Sequence, residues 1–146
     1  MGKSIIYIDG GSRGNPGPSA FGVVICDGNG NVLKKYSEYI GKKTNNEAEY
    51  QGLIFALKKA KAYFGKEKIK KMEIDLFSDS QLLVNQINGK YKVLNANIQP
   101  LFLTAWNLKI DYKNIKISFI VREKNEEADR LVNQALDAEV KKQKLF

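Results

Sequence analysis

The chain has 146 residues, 43% hydrophobic and 27% charged, the balance of one ordinary globular domain spanning residues 1–146. Lys and Arg number 24 against 16 Asp and Glu, so the net charge is +8; a polyanion such as nucleic acid is a natural partner, with a merely solvated lysine surface as the alternative. Histidine is absent and Cys26 is the only cysteine, which excludes Ser–His–Asp and Cys–His catalysis, His-ligated zinc and an internal disulfide.

In chain order, residues 4–8 form a short apolar run that reads as a strand, ending at Asp9-Gly10-Gly11. Residues 14–18 hold two prolines and two glycines and read as a loop. Residues 20–26 and 32–40 flank Asp27-Gly-Asn-Gly-Asn31, whose residues tolerate positive φ, so a β-hairpin is expected. The apolar run around Cys26 predicts a buried thiol. Residues 45–64 have helical periodicity, with Leu53, Leu57, Ala60 and Phe64 on one face. The lysine-rich residues 58–71 read as a solvated helix end and loop rather than a separate module. Residues 72–77 alternate as a strand, and residues 80–87 read as a helix ended by Asn88-Gly89. A helix is expected over residues 95–110, with Pro100 in its first turn and Trp106 in the core. Residues 115–121 alternate as the last strand, and a helix follows from Asn125, its expected N-cap, to about Val140. The order β-β-β-α-β-α-α-β-α predicts an α/β fold: an antiparallel meander joined to strands reached by crossover helices.

Four acids stand out by position. Asp9 closes the first strand and Asp79 the fourth, while Glu49 and Asp129 lie in the first turns of helices. Strand C-termini in α/β sheets gather at one edge, so these carboxylates can converge there and attract a hard divalent cation. Each also has a purely structural reading: Asp9 opens a turn, Asp79 caps a helix, and Glu49 and Asp129 complement helix dipoles. Helix geometry separates Glu49 from Glu47. With Leu53 at zero, Glu49 falls at about −40°, inside the apolar arc, and Glu47 at about 120°, near its polar margin. A carboxylate on a buried face needs a partner, so Glu49 reads as a ligand and Glu47 as a surface or dipole residue.

Tyr7-Ile-Asp-Gly-Gly-Ser-Arg-Gly-Asn-Pro-Gly-Pro18, Thr44-Asn-Asn-Glu-Ala-Glu-Tyr50, Ser78-Asp-Ser-Gln81 and Asn125-Glu-Glu-Ala-Asp129 resemble the four acidic motifs of type 1 ribonuclease H, in order and over nearly the whole chain. The resemblance implies a mixed five-stranded sheet flanked by helices. It implies Asp9, Glu49, Asp79 and Asp129 as catalytic, metal-holding carboxylates for two Mg²⁺ ions, with Mn²⁺ as a substitute. It implies hydrolysis of the RNA strand of RNA/DNA hybrids, leaving 5′-phosphate and 3′-hydroxyl ends. Gly10, Gly11, Asn15, Asn45 and Asn46 fall along the implied substrate groove, and Lys42, Thr44 and Asn95 at an implied phosphate pocket.

Two departures from the family pattern stand out. The segment Val121-Arg-Glu-Lys-Asn125 is short and lacks the His that many members carry, leaving Arg122, Glu123 or Lys124 as substitutes. The Trp- and Lys-rich basic handle is missing, so groove affinity falls to dispersed lysines. The short-loop branch also implies possible cutting of double-stranded RNA. The competing reading is a non-catalytic module that binds hybrids or double-stranded RNA. The N-terminus lacks a signal-peptide layout, and a cytoplasmic monomer is expected.

Overall fold

The structure is a computed structural model and describes residues 2–145. Three strands form the meander: β1 (Lys3–Ser12), β2 (Gly17–Asp27) and β3 (Val32–Lys43). β2 runs antiparallel to both neighbours, and Asp27 closes the β2–β3 turn by accepting bonds from the backbone of Asn29 and Asn31, both at 2.9 Å. Helices α1 (Asn45–Phe64) and α2 (Lys66–Ile69) cross over to β4 (Glu73–Ser78), which pairs parallel with β1. Helices α3 (Gln81–Ile87) and α4 (Gln99–Ile110) cross to β5 (Asn114–Phe119), parallel to β4. A single 3₁₀ turn at Arg122–Lys124 leads into α5 (Glu126–Gln143). The sheet order is β3-β2-β1-β4-β5, the mixed five-stranded arrangement expected.

Strand alternation sorts the side chains into two layers. Ile6, Ile8, Phe21, Val23 and Ile25 pack toward α1 with Leu53, Leu57 and Ala60. On the other face Val24 and Cys26 meet Ala128 and Leu131 of α5, with Ile5 and Tyr7 against them. The Cys26 thiol is buried as expected, and burial pushes its pKa up.

The structure differs from the sequence reading in several places. β1 does not stop at Ile8. Its parallel pairing with β4 stops there, but its antiparallel pairing with β2 runs on to Ser12. The loop at residues 14–18 is correspondingly shorter, since β2 already begins at Gly17. The second crossover helix begins at Gln99, because the Asn95 Oδ1 accepts from the backbone of Asn97 (2.8 Å) and Ile98 and makes a turn instead. β5 ends at Phe119; Ile120 still donates to the Ser78 carbonyl at 2.9 Å, and Val121 is exposed. The lysine-rich stretch gains the short helix α2. Trp106 is not a core residue: it is 39% exposed and stacks on Phe102 with ring centroids 6.0 Å apart. α4 is apolar almost all round, so only part of its surface is buried against the protein, and only Ala105 is fully buried.

Candidate active site

Two glycines decide how closely the helices approach Asp9. A Cβ at Gly10 would collide with the backbone of Ala48 and Glu49, 2.5 Å from the Glu49 nitrogen. A Cβ at Gly22, the residue paired with Asp9 across the β1–β2 ladder, would stand 2.5 Å from the Ala128 carbonyl of α5. α1 and α5 therefore rest directly on the strands from opposite faces, each delivering its first turns to Asp9.

Asp9 is the first residue of β1 past the parallel pairing with β4, and Asp79 is the first residue past β4. Both stand where the two strands part. Glu49 enters from the second turn of α1. Carboxylate oxygens of Asp9, Glu49 and Asp79 all lie within 4.8 Å of one another. Asp9 is 4% exposed, Glu49 7%, and the Asp79 side chain 3%. The helix-face choice of Glu49 is matched by what Glu47 does. Glu47 closes a capping box, accepting from the Thr44 backbone at 3.0 Å while its own N–H donates to the Thr44 hydroxyl at 3.2 Å.

The electrostatics of this cluster are strained. Burial, then the charges of Asp79 and Asp129, push the Asp9 carboxyl up to about 8, against the opposing Gly10 N–H and Arg122. Glu49 is driven well above the carboxylate range, first by burial and then by Asp9 and Asp79. Its Oε2 is buried without a hydrogen-bond partner. Buried apolar side chains such as Ile6, Ile8, Leu53 and Leu57, each worth about 1.5–3 kcal/mol, hold the acids together against this repulsion. An orphaned carboxylate oxygen inside an all-oxygen donor set fits a hard divalent cation, which prefers such ligands.

Asp129 stands outside the triplet but lines the same cleft, a space of about 480 Å³ that also exposes Gly10, Gly11, Asn45, Asn46 and Arg122. Asn45 and Asn15 knit its rim. The Asn45 Oδ1 accepts from Ser12 N–H at 2.9 Å, and the Asn15 Oδ1 accepts from Asn45 N–H at 3.0 Å. Lys42, Thr44 and Asn95 do not line the cleft; Lys42 is exposed, and the Thr44 hydroxyl and Asn95 carbonyl are engaged in their own turns. Asp79 does not cap α3: the Ser80 hydroxyl accepts from Leu83 N–H at 3.2 Å.

Of the three candidates before α5, Arg122 alone faces the cleft, its Nε 3.9 Å from an Asp79 oxygen. Glu123 and Lys124 face a separate depression beside Tyr7 and Val24. Glu126 is exposed, and Glu127 pairs with Lys35 and Arg130 at 2.9 and 2.6 Å.

Asn125 is the residue that sequence reasoning placed correctly and misread. It precedes α5, but its side chain makes no cap. It is buried, and its Nδ2 donates to the Ile8 carbonyl at 2.8 Å and reaches an Asp79 oxygen at 3.5 Å. It thus fastens α5 to the point where β1 and β4 diverge. The visible signal was an Asn one helical turn before Asp129, a pattern shared with ordinary caps.

A family described as Reverse transcriptase-like matches residues 7–135. Ribonuclease HI of Halobacterium salinarum is 39% identical over 136 residues, covering 93% of this chain and 65% of that protein. The crystal structure of LC11-RNase H1 in complex with RNA/DNA hybrid superposes with a TM-score of 0.88 at 43% identity, covering 94% of this chain and 99% of that one. The chain belongs to the type 1 ribonuclease H family. A bifunctional protein of Mycobacterium tuberculosis is also 39% identical over 137 residues, and there the chain spans only 36% of the relative's length. In this fold one 3₁₀ turn, Arg122–Lys124, lies between β5 and α5, and only residues 88–98 separate α3 from α4.

Proposed function

We propose that this chain is an endoribonuclease that hydrolyses the RNA strand of RNA/DNA hybrids, leaving 5′-phosphate and 3′-hydroxyl ends. The observation that carries the reading is the buried triplet Asp9, Glu49 and Asp79 at the floor of an open cleft. A module that only bound nucleic acid would gain nothing from anionic side chains facing phosphates. Asp9, Glu49, Asp79 and Asp129 are the residues that would hold divalent cations. When bound, a pair of Mg²⁺ or Mn²⁺ ions supplies Lewis acidity at the scissile phosphate and a lowered pKa for the attacking water. The chain's own residues do the rest. Asp9 and Glu49, whose carboxyls are pushed up by burial and by their neighbours, would have to be deprotonated to hold a cation, so cation affinity would rise with pH. Backbone groups of Gly10 and Gly11, with Asn45, read the 2′-hydroxyls that distinguish RNA from DNA. Asn15 and Asn46 support that groove; a phosphate pocket for the DNA strand at Lys42, Thr44 and Asn95 would lie outside the cleft, which none of the three lines. Arg122 offsets negative charge at Asp79 before the substrate arrives.

Support comes from the relatives: one is named Ribonuclease HI, and another was crystallised with an RNA/DNA hybrid. Among the described residues no helix is long and apolar enough to cross a membrane, and we propose a monomer acting in the cytoplasm. The test is an end-labelled hybrid incubated with Mg²⁺, Mn²⁺ or EDTA. Cleavage of the RNA strand with either metal and none in EDTA is expected; binding without metal-dependent cutting favours the binding module. An RNA/RNA duplex in the same assay shows whether the activity extends to double-stranded RNA.

A further inference from the structure

Residues 58–71 hold seven lysines and one glutamate, a net of +6 out of the chain's +8. They lie at the C-terminal end of α1 and on α2, leading into the start of β4. The carboxylates lie at the opposite ends of these elements. From Glu49 to Phe64 along α1 is about 22 Å, so this corner is remote from the cleft.

Two of the seven lysines are neutralised: Lys61 pairs with Asp111 at 2.9 Å and Lys70 with Glu67 at 3.6 Å. Lys58, Lys59, Lys66, Lys68 and Lys71 have no ion-pair partner among the described residues, and all five are exposed. Lys68 and Lys71 border one depression of about 420 Å³, whose other walls are Gly2 and Met72. Aromatic surface adjoins it. The Lys68 ammonium lies 5.8 Å from the centre of the Phe64 ring, and Tyr63 meets Phe64 edge-on at 5.0 Å while remaining 44% exposed.

We propose that this corner is a second nucleic-acid site, separate from the cleft, that holds a single-stranded segment. Unpaired lysines around a depression attract backbone phosphates, and an exposed aromatic ring beside them offers a face on which an unpaired base stacks. A duplex keeps its bases stacked within itself and leaves Tyr63 unused, which is why the single strand is the better fit. In the protein at work, the segment is an unpaired extension of a hybrid or a neighbouring strand, and it raises the local concentration of substrate. This goes beyond the cleft reading and does not depend on it.

The test is binding of a short fluorescein-labelled oligothymidylate to the full chain in EDTA, followed by anisotropy over a series of salt concentrations. Running it without metal makes the outcome independent of whether the chain cuts hybrids. Replacing Lys66, Lys68 and Lys71 by Ala lowers the slope of log affinity against log salt by about 2, the change expected for three lost phosphate contacts on a single strand. Tyr63→Ala weakens binding roughly fivefold to a hundredfold. All these side chains are exposed, so the variants retain the native thermal transition. Replacing Lys90, Lys113 and Lys141 by Ala makes the same change in net charge and leaves affinity within about twofold. Native-like affinity in the Lys66/Lys68/Lys71 variant, or an equal loss in the Lys90/Lys113/Lys141 variant, overturns the proposal.

Discussion

The two ends of the central sheet treat charge in opposite ways. At the C-terminal ends of β1 and β4, three carboxylates share a space under 5 Å across and are withdrawn from water. At the far end, five lysines without an ion-pair partner among the described residues spread over exposed surface. The first arrangement is costly and needs the packing of α1 and α5 on Gly10 and Gly22 to exist at all. The second costs almost nothing, because each ammonium keeps its hydration. A net charge of +8 therefore describes neither end. Strained charge marks where chemistry is built, whereas exposed charge marks where a polyanion can be drawn and held without a structural cost.

If the carboxylate end is strained as described, removing one charge relieves the strain and destroys cation affinity together. Asp79→Asn should weaken Mn²⁺ binding by more than about a hundredfold, since even residues that merely support ligands cost ten- to a hundredfold when lost. The same variant should melt a few degrees higher than the native chain in EDTA. Calorimetric titration with Mn²⁺ and a thermal melt check the two halves. A variant that keeps its metal affinity would remove Asp79 from the site.

The pH response sharpens the same contrast. In the metal-free fold Asp9 keeps its proton up to about pH 8, whereas in the unfolded chain it loses it near the ordinary value of 3.8. Between those two values the folded state binds more protons than the unfolded state, so stability falls as pH rises through the window. The Tm in EDTA should therefore decline from pH 5 to pH 8, and Asp9→Asn should flatten the decline. A smaller effect follows from the clasp beneath the acids. Asn125→Ala leaves the buried Ile8 carbonyl without its side-chain donor and should cost about 1–3 kcal/mol in urea denaturation. The smallest effect belongs to the exposed charges. Glu127 pairs with Lys35 and Arg130, and these partners hold its carboxyl down at about 2. It is nevertheless more than a third exposed, so Glu127→Gln should cost no more than about 1 kcal/mol at neutral pH.

Much of the fold was legible because its signals are local. The Asp27–Asn31 turn residues, the 3.6-residue period of α1 and the alternation of β4 each decide an element within a few positions. The placement of Glu49 was legible for the same reason, as an angle on a helix. What sequence did not show depends on partners far along the chain. β1 runs past Ile8 because β2 continues to pair with it, although β4 no longer does. Trp106 is exposed because α4 is apolar on more sides than the protein covers. Asn125 looks like a cap until the Ile8 carbonyl, 117 residues away in sequence, is found beneath it. The exclusion of Asp129 from the tight triplet is a matter of ångströms that no motif encodes.

Cleavage of a labelled RNA/DNA hybrid by the native chain and by Asp9→Asn, side by side with Mg²⁺, shows whether the buried carboxylates form a reaction centre. The native chain should cut the RNA strand, and Asp9→Asn should cut more than about a hundredfold more slowly while binding the hybrid in EDTA with native affinity. Undiminished cutting by Asp9→Asn would contradict the assignment of the buried carboxylates as the reaction centre.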